Sequence, residues 1–191
     1  MVTLSHHLEY ADLQRLREGR RERLEVIDGE LFVNPAPSPL HQFVSKRLCH
    51  IFMQAVDDAG IGEYLAAPVD VVLTNRDIVQ PDLVVLLRSN LSRISNRAIE
   101  GPPDLVVEII SPSSDFHDRV RKQRLYARHG VSELWLVDPV ARQLTIYANP
   151  CEGRYHVERA FTDTAVSTII PGLTVDLMAV LSPVPTEQDE G

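Results

Sequence analysis

Two short runs rich in valine, isoleucine and leucine each carry one carboxylate where a purely structural strand would carry another apolar residue. Asp82 opens the first run directly after Pro81, and Glu108 lies within the second, which extends from Asp104 to Ile110. Such runs predict β-strands of one sheet. A buried carboxylate costs several kcal/mol unless it is paired or bound to a cation. We therefore expect a positive charge between Asp82 and Glu108.

The length and composition fit one soluble domain. The chain has 191 residues, of which 44% are hydrophobic, a usual share for a globular protein. We expect a single domain over residues 1–181 and a disordered, proline-containing acidic tail over residues 182–191. No apolar run approaches the roughly 20 residues of a membrane span, and the first residues do not resemble a signal peptide. We therefore expect a cytoplasmic protein with no membrane partner.

The net charge of −8 argues against a broad nucleic-acid-binding surface, since phosphate binding depends on positive side chains. It does not exclude a nuclease, which needs acids around its metal ions and basic residues on one local face only. Basic residues cluster in the segments 15–23 and 119–128. Each cluster is either a solvated face interleaved with acids or a track for phosphates. A solvated face is the better interpretation of the first cluster, and the two interpretations are equal for the second.

The spacing of apolar residues predicts an α/β protein of the α+β type, in which a helix, three strands, a helix and a further strand follow one another. Typical turn and cap residues separate these elements. The predicted elements are a helix over about 7–18, a hairpin over Arg23–Val33 with Asp28-Gly29 at its turn, a helix from Ser38 to Gly60, strands over Glu63–Leu73, Ile78–Leu87 and Asp104–Ile110, a helix from Ser113 or Ser114 to about His129, and strands over Glu133–Val137, Leu144–Tyr147, Arg154–Ala160 and Thr168–Val175.

The two carboxylates can form a metal site if their strands are neighbours. Asp82 enters its strand and Glu108 lies near the end of the other, so both can meet at one end of the sheet. Mg²⁺ prefers hard oxygen ligands and usually takes one or two carboxylates, which leaves positions for water and substrate phosphate. A metal held in this way activates a bound water and neutralises charge on phosphoryl oxygens. The pair therefore predicts phosphoryl-transfer chemistry.

A lysine usually completes such a site, and here its position leaves two interpretations open. Ile110 stands two residues after Glu108, where the PD-(D/E)XK pattern has its lysine. Lys122, fourteen positions beyond Glu108, lies on the next predicted helix and can reach back to the site. Alternatively, Lys122 forms an ion pair with Asp118 on the helix surface, worth only about 0.2–0.5 kcal/mol. Spacing alone favours that ion pair. Tyr126, one turn further, either lines the site or covers the sheet.

Motifs spread over about residues 8–178 form one set: Glu25-Val-Ile-Asp-Gly-Glu30, Ser38-Pro-Leu-His41-Gln42, Ala67-Pro-Val-Asp-Val71, Gln80-Pro-Asp82, Pro103-Asp-Leu-Val-Val-Glu108-Ile-Ile-Ser-Pro112, Lys122 with Tyr126-Ala127, and Gly130-Val-Ser-Glu-Leu-Trp-Leu-Val-Asp-Pro139. Together they resemble the Uma family of restriction-endonuclease-like proteins, which belongs to the PD-(D/E)XK nuclease superfamily. The resemblance implies a restriction-endonuclease-like core with an added N-terminal hairpin and C-terminal strands.

The resemblance also implies roles for individual residues. The family is understood to have moved its catalytic lysine onto the helix after the second acid, which favours Lys122 over the ion-pair interpretation. By this resemblance, Asp82 and Glu108 bind Mg²⁺ or Mn²⁺ with help from the backbone carbonyl of Ile109. Lys122 then assists the attacking water.

Glu25 and His41 each have two possible roles. Glu25 either supplies an additional acid, as in some members of the superfamily, or faces outward from the hairpin and pairs with an arginine. His41, near the start of the long helix, is more often a capping or packing histidine than a metal ligand.

The residues and the resemblance together predict an endonuclease that hydrolyses DNA phosphodiester bonds with Mg²⁺ or Mn²⁺. The alternative is a non-catalytic binding or regulatory module that keeps the nuclease fold, which the net charge and the displaced lysine favour. A homodimer is expected, because cutting both strands of a duplex needs two sites. No recognition helix or zinc finger is visible that would indicate a preferred DNA sequence.

Overall fold

The computed structural model describes residues 7–20, 22–111 and 116–183, with the backbone alone described for residues 116–118. In chain order the elements are α1 (Tyr10–Arg17), β1 (Arg23–Ile27), β2 (Glu30–Asn34), α2 (Pro39–Phe52), β3 (Gly62–Ala66), β4 (Val71–Thr74), β5 (Asp77–Val79), β6 (Leu83–Leu87), β7 (Ile99–Glu100), β8 (Leu105–Ile109), α3 (Phe116–Arg128), β9 (Glu133–Asp138), β10 (Gln143–Cys151), β11 (Arg154–Phe161), β12 (Thr164–Val166), β13 (Thr174–Asp176) and α4 (Leu177–Val180). A π-helical turn over Met53–Asp57 extends α2, and a 3-10 helix over Arg88–Arg93 follows β6. None of the helices in the described ranges is long and apolar enough to cross a membrane.

Short-range signals set the ends of the first elements. The Oγ of Ser38 accepts a hydrogen bond from the N–H of His41 at 3.2 Å, and Pro39 takes the first helical position, so α2 begins where the sequence predicts. Asp28 and Gly29 have positive φ angles of 52° and 81°, which suit the tight turn between β1 and β2. Cap and turn together place His41 at the start of α2 and confirm the predicted hairpin.

The largest sheet has six strands in the order β11-β10-β9-β8-β6-β3. Strands β3, β6 and β8 form an antiparallel meander, and β9 joins β8 in parallel after the crossover helix α3. This arrangement is the predicted sequence of three strands, a helix and a strand. Because β6 and β8 are antiparallel neighbours, the start of β6 lies beside the end of β8 at one edge of the sheet.

Two of the predicted strands are each divided between two sheets, which corrects the sequence analysis. The predicted strand Glu63–Leu73 is β3 and β4, and the predicted strand Ile78–Leu87 is β5 and β6. Strands β4 and β5 belong to a second sheet with the order β2-β1-β5-β4-β7. The breaks occur around Pro68 and Pro81, which have no N–H to donate to a sheet ladder. Asp82 therefore lies where the chain passes from one sheet to the other.

The C-terminal part also differs from the prediction in places. Strands β10 and β11 form a longer hairpin than predicted. Most of the predicted strand Thr168–Val175 is a loop, because Pro171-Gly172 interrupts it, and the strands here are the pair β12 and β13. Residues 184–191, most of the predicted tail, lie outside the described residues.

Helices α2 and α3 pack on opposite faces of the six-stranded sheet. On one face Phe52 of α2 contacts Trp135 of β9, with 5.5 Å between ring centroids. On the other face Leu125 and Tyr126 of α3 pack with Val106 of β8. Burying one such side chain stabilises the fold by about 1.5–3 kcal/mol. This packing holds α3 against the strand that carries Glu108.

Candidate active site

Asp82 directly precedes β6, and its carboxylate is held by three other parts of the chain. Its Oδ2 accepts the N–H of Ile109 at 2.8 Å and lies 3.1 Å from Nε2 of His41, and its Oδ1 accepts Nη1 of Arg23 at 3.0 Å. Burial alone would raise the pKa of Asp82, but the hydrogen bond and charge of His41, the charge of Arg23 and the Ile109 N–H lower it below its ordinary value. Asp82 is therefore an ionised acid with a defined orientation.

The carboxylate of Glu108, on β8, binds two side chains of α3. Both of its oxygens lie 3.2 Å from Nζ of Lys122, and its Oε1 accepts the hydroxyl of Tyr126 at 2.6 Å. Burial raises the pKa of Glu108 to about 7; the charge of Lys122 opposes this rise, and the charges of Asp82 and Glu25 add to it. The charge of Lys122 and the hydroxyl of Tyr126 therefore do not offset the effect of burial on the pKa of Glu108.

Lys122 lies at this site and not on an exposed helix face. It is 7% exposed, and its Nζ lies between the carboxylates of Glu108 and Glu25. The interpretation that spacing alone favoured is therefore wrong in placing Lys122 on the helix surface. The side chain of Asp118, the acid of that interpretation, lies outside the described residues.

Glu25, on β1, faces the interior. It is 0% exposed, its Oε1 accepts the N–H of Gln80 at 2.7 Å, and its Oε2 lies 3.1 Å from Nζ of Lys122. The interpretation of an outward-facing residue paired with an arginine is therefore wrong. Lys122 instead bridges two carboxylates, Glu25 and Glu108, from elements that are distant in the sequence.

His41 takes part in the helix cap, as predicted, and Tyr126 has both of the roles that the sequence analysis kept apart. The backbone of His41 takes part in the helix cap, and its ring contacts Asp82. Tyr126 is completely buried against the sheet and donates to Glu108. Burial and the neighbouring charge of Glu108 raise the pKa of Tyr126 well above its ordinary value, so its hydroxyl stays a donor.

A cavity of about 90 Å³ lies among these groups, with room for several water molecules. Its walls include Arg23, His41, Asp82, Glu108, Ile109, Arg119 and Lys122. The two acids that the sequence singled out thus reach the same cavity from neighbouring strands.

The donors at the cavity fit a hard divalent cation. Asp82 and Glu108 supply carboxylate oxygens, and two carboxylates are enough for Mg²⁺ or Mn²⁺. The N–H and C=O of a strand residue point to the same side, so the carbonyl of Ile109 faces the side on which its N–H meets Asp82. In the described ranges no group of three or more His, Cys, Asp or Glu side chains has metal-binding spacing. A cation here would depend on the two acids and the carbonyl.

Two arginines of the site were not identified from the sequence. Arg23 was assigned to a solvated face, yet it bonds to Asp82. The alternation of residues in β1 could have indicated this position. Leu24 and Val26 face one apolar cluster, so Arg23 and Glu25 must face the other side of the strand. Arg119, which lines the cavity, carries no such signal, because its position depends on how α3 packs.

The second basic cluster, residues 119–128, divides into separate roles. Arg119 and Lys122 line the cavity. The guanidinium of Arg121 lies 4.2 Å from the ring centroid of Phe32. Arg128 forms ion pairs with Asp28 and Asp77. A phosphate track at this cavity is therefore limited, within this cluster, to Arg119 and Lys122.

Comparison with known proteins identifies the family. A family model described as "Uma2: Putative restriction endonuclease" matches residues 9–180. The chain belongs to this family. An uncharacterized protein from Synechocystis sp. is 30% identical over 140 residues, which are 71% of each chain. The crystal structure of a putative nuclease belonging to DUF820 from Anabaena variabilis is similar with a TM-score of 0.70 and 20% identity, over 83% of this chain and 89% of that one. The resemblance seen in the motifs and the predicted nuclease fold are both confirmed.

Proposed function

We propose that this protein hydrolyses DNA phosphodiester bonds with Mg²⁺ or Mn²⁺ at the cavity between Asp82, Glu108 and Lys122. The observation that supports this most is that Lys122 reaches from α3 to within 3.2 Å of Glu108 while both acids line one cavity. Two acids and an ammonium group around a small cavity are the groups that in-line attack on phosphorus requires. Membership of the family described as "Putative restriction endonuclease" supports the same reaction class.

Each residue of the site has a role in this proposal. Asp82, Glu108 and the carbonyl of Ile109 would hold the divalent cation, which supplies an activated water and neutralises phosphoryl charge when bound. Lys122 orients the water or donates to a phosphoryl oxygen, and so stabilises charge that develops in the transition state. Glu25 holds the Lys122 ammonium from its other side. Tyr126 sets the orientation of Glu108.

Arg119 is the cavity cation available for a substrate phosphate. The acid that it approaches, Asp138, is 3.8 Å away, which is longer than a hydrogen bond, whereas Arg23 is already bonded to Asp82. The Nε of Arg119 has no hydrogen-bond partner within the described ranges. A guanidinium group matches two phosphate oxygens at once. We assign Arg119 to the non-bridging oxygens of the scissile phosphate.

Cleavage of supercoiled and single-stranded DNA in Mg²⁺ or Mn²⁺ tests the proposal. Wild type should cleave, and Asp82→Asn, Glu108→Gln and Lys122→Met should not. Asp77→Asn is the matched control, since it removes a buried acid away from the cavity. Cleavage that persists in both Asp82→Asn and Glu108→Gln at the wild-type rate would place the activity elsewhere.

A non-catalytic binding module is the second candidate, and one observation favours it. Both oxygens of Asp82 are already bonded, to Arg23, His41 and the N–H of Ile109. Calorimetric titration with Mn²⁺ separates the two candidates. A catalytic site binds Mn²⁺ and loses that binding in Asp82→Asn, whereas a wild type that neither binds Mn²⁺ nor cleaves DNA would support the non-catalytic candidate.

We also propose a homodimer, because cleavage of both strands of a duplex needs two sites. Sedimentation velocity measures this directly. A monomer at concentrations that produce double-strand breaks in one binding event would contradict it.

A further inference from the structure

A second cavity of about 340 Å³ adjoins the first one. The two cavities share four wall residues, namely Arg23, Pro37, His41 and Asp82. A nucleic-acid strand with one phosphate in the first cavity can therefore continue directly into the second cavity. The larger volume falls in the range of small-molecule sites, about 300–1,000 Å³, and the smaller one does not.

The walls of the second cavity combine apolar surface with neutral polar groups. Pro37, Ala67 and Pro68 offer apolar atoms, and Gln42 and Ser45 offer an amide and a hydroxyl. Apolar walls pack against the flat parts of a ligand, and a few amides and hydroxyls fix its polar edge. This part of the wall suits a sugar and base better than a bare phosphate, while Arg17, Arg20, Arg23, Glu22 and Asp82 form the charged part.

One arginine of the second cavity remains available to a ligand. Arg17 and Arg23 are each held by an aspartate, at 2.7 Å and 3.0 Å. Arg20 lines the same cavity and is exposed, and its guanidinium has no hydrogen bond or ion pair to any residue that the structure describes. Glu22, which also lines the cavity, already has a contact of its own. Arg20 is thus free to bind a negative group.

We propose that the second cavity binds the nucleotide next to the scissile phosphate of a nucleic-acid strand. Its sugar and base lie against Pro37 and Pro68, and its outer phosphate binds Arg20. This inference rests on the proposed nuclease function, because it takes the first cavity as the place of the scissile phosphate. It gives the segment before β1, far from the acids in sequence, a part in positioning the substrate.

Two variants separate this cavity from the catalytic one. Ser45→Trp fills the second cavity, and Arg20→Gln removes its available charge. Arg15→Gln is the matched control, because Arg15 has a 77% exposed side chain, pairs with Asp12 and does not line the cavity. Each protein is given two substrates in Mn²⁺: a single strand of about 12 nucleotides, and methyl p-nitrophenyl phosphate, a phosphodiester without a nucleotide. Thermal melting checks that each variant is folded.

Ser45→Trp and Arg20→Gln should raise KM for the oligonucleotide by about ten-fold, the loss of one well-bound nucleotide. Both should hydrolyse methyl p-nitrophenyl phosphate as wild type does, and Arg15→Gln should change neither reaction. An unchanged KM in both folded variants, or an equal loss on both substrates, would overturn the inference. If Ser45→Trp does not fold, Arg20→Gln decides.

A wild type that hydrolyses neither substrate would contradict the nuclease function, and oligonucleotide binding in Ca²⁺, followed by fluorescence anisotropy, then decides this inference by itself. Weaker binding in the two variants than in wild type would support a nucleotide site. Absent or unchanged binding would overturn it.

Discussion

Two clusters built around buried carboxylates connect the N-terminal hairpin to the rest of the molecule, and their composition differs. The cavity cluster consists of Asp82, Glu108 and Glu25 with the cations Arg23 and Lys122 and the ring of His41. The Asp77 cluster consists of Asp77 with Thr74, Arg128, His129 and the N–H of Asp28. The first has three acids around a cavity, of which Glu25 and Asp82 are buried and the side chain of Glu108 is 13% exposed, whereas the second has one buried acid, Asp77, surrounded by donors.

The contrast appears in the pKa values. Burial alone would raise the pKa of Asp77, but the hydrogen bonds from Asp28 and Thr74, the charge of Arg128 and the contact with His129 lower it. The pKa of Glu108, by contrast, rises to about 7, since burial and the neighbouring acids outweigh Lys122. A strongly shifted pKa beside a cavity is typical of a functional site, and this contrast supports the proposal that the cavity cluster is the active site.

The largest expected effect is the loss of DNA cleavage when an acid of the cavity cluster is replaced. Asp82→Asn and Glu108→Gln should each lower DNA cleavage by at least about 100-fold, because even groups that only support a metal ligand change activity by about 10–100-fold. Asp77→Asn should cleave at close to the wild-type rate. Initial rates of plasmid nicking in Mn²⁺ measure this. A Glu108→Gln variant that cleaves as well as Asp77→Asn would remove the distinction between the clusters.

Lys122 gives the next largest effect, on stability as well as activity. Lys122→Met should destabilise the fold by about 3 kcal/mol, because it leaves Glu25 and Glu108 buried without their cation. Adding Glu25→Gln should restore part of that stability without restoring cleavage. Urea unfolding of the single and double variants measures the coupling. Additive effects of the two substitutions would contradict the direct contact between Lys122 and Glu25.

Asp77 should show the reverse behaviour, with an effect on stability only. Asp77→Asn should lose about 2 kcal/mol at pH 7, the usual contribution of hydrogen bonds to a buried charge. Because the pKa of folded Asp77 lies below its unfolded value, its contribution is complete above about pH 4 and disappears as pH falls through the folded pKa. The stability gap between wild type and Asp77→Asn should therefore narrow in acid. A gap that stays constant from pH 7 to pH 3 in chemical denaturation would show that the charge is not responsible.

The smallest effect concerns Arg119, which belongs to neither the cavity cluster nor the Asp77 cluster and lies 3.8 Å from Asp138. Arg119→Gln should weaken DNA binding about five-fold, and the dependence of log Kd on log salt should fall by about one phosphate contact. Fluorescence anisotropy in Ca²⁺ at several salt concentrations measures both quantities. Asp138→Asn is a useful companion, since freeing Arg119 from that acid should leave binding unchanged or stronger. Weaker binding in Asp138→Asn would argue against the assignment.

Much of the fold and part of the site could be predicted from residues close together in the sequence. The cap at Ser38, the turn at Asp28-Gly29 and the apolar periods act over a few residues, so they do not depend on the rest of the chain. They located the strand that Asp82 precedes and the strand that carries Glu108. The breaks at Pro68 and Pro81 and the transfer of β4 and β5 to a second sheet were not predicted, because they depend on which strands pair.

The sequence by itself determined that Asp82 comes just before one apolar strand, that Glu108 lies within another, and that Lys122 follows them on a helix. Only the tertiary structure decided their partners: Lys122 meets Glu25 from 97 positions away, and Arg23 meets Asp82 from 59 positions away. Local pattern cannot decide whether a charged side chain meets water or another charge, because the second sheet and α3 must first pack together around it. That packing removes water from the acids, brings the cations within about 3 Å, and leaves the cavity in which the chemistry is proposed.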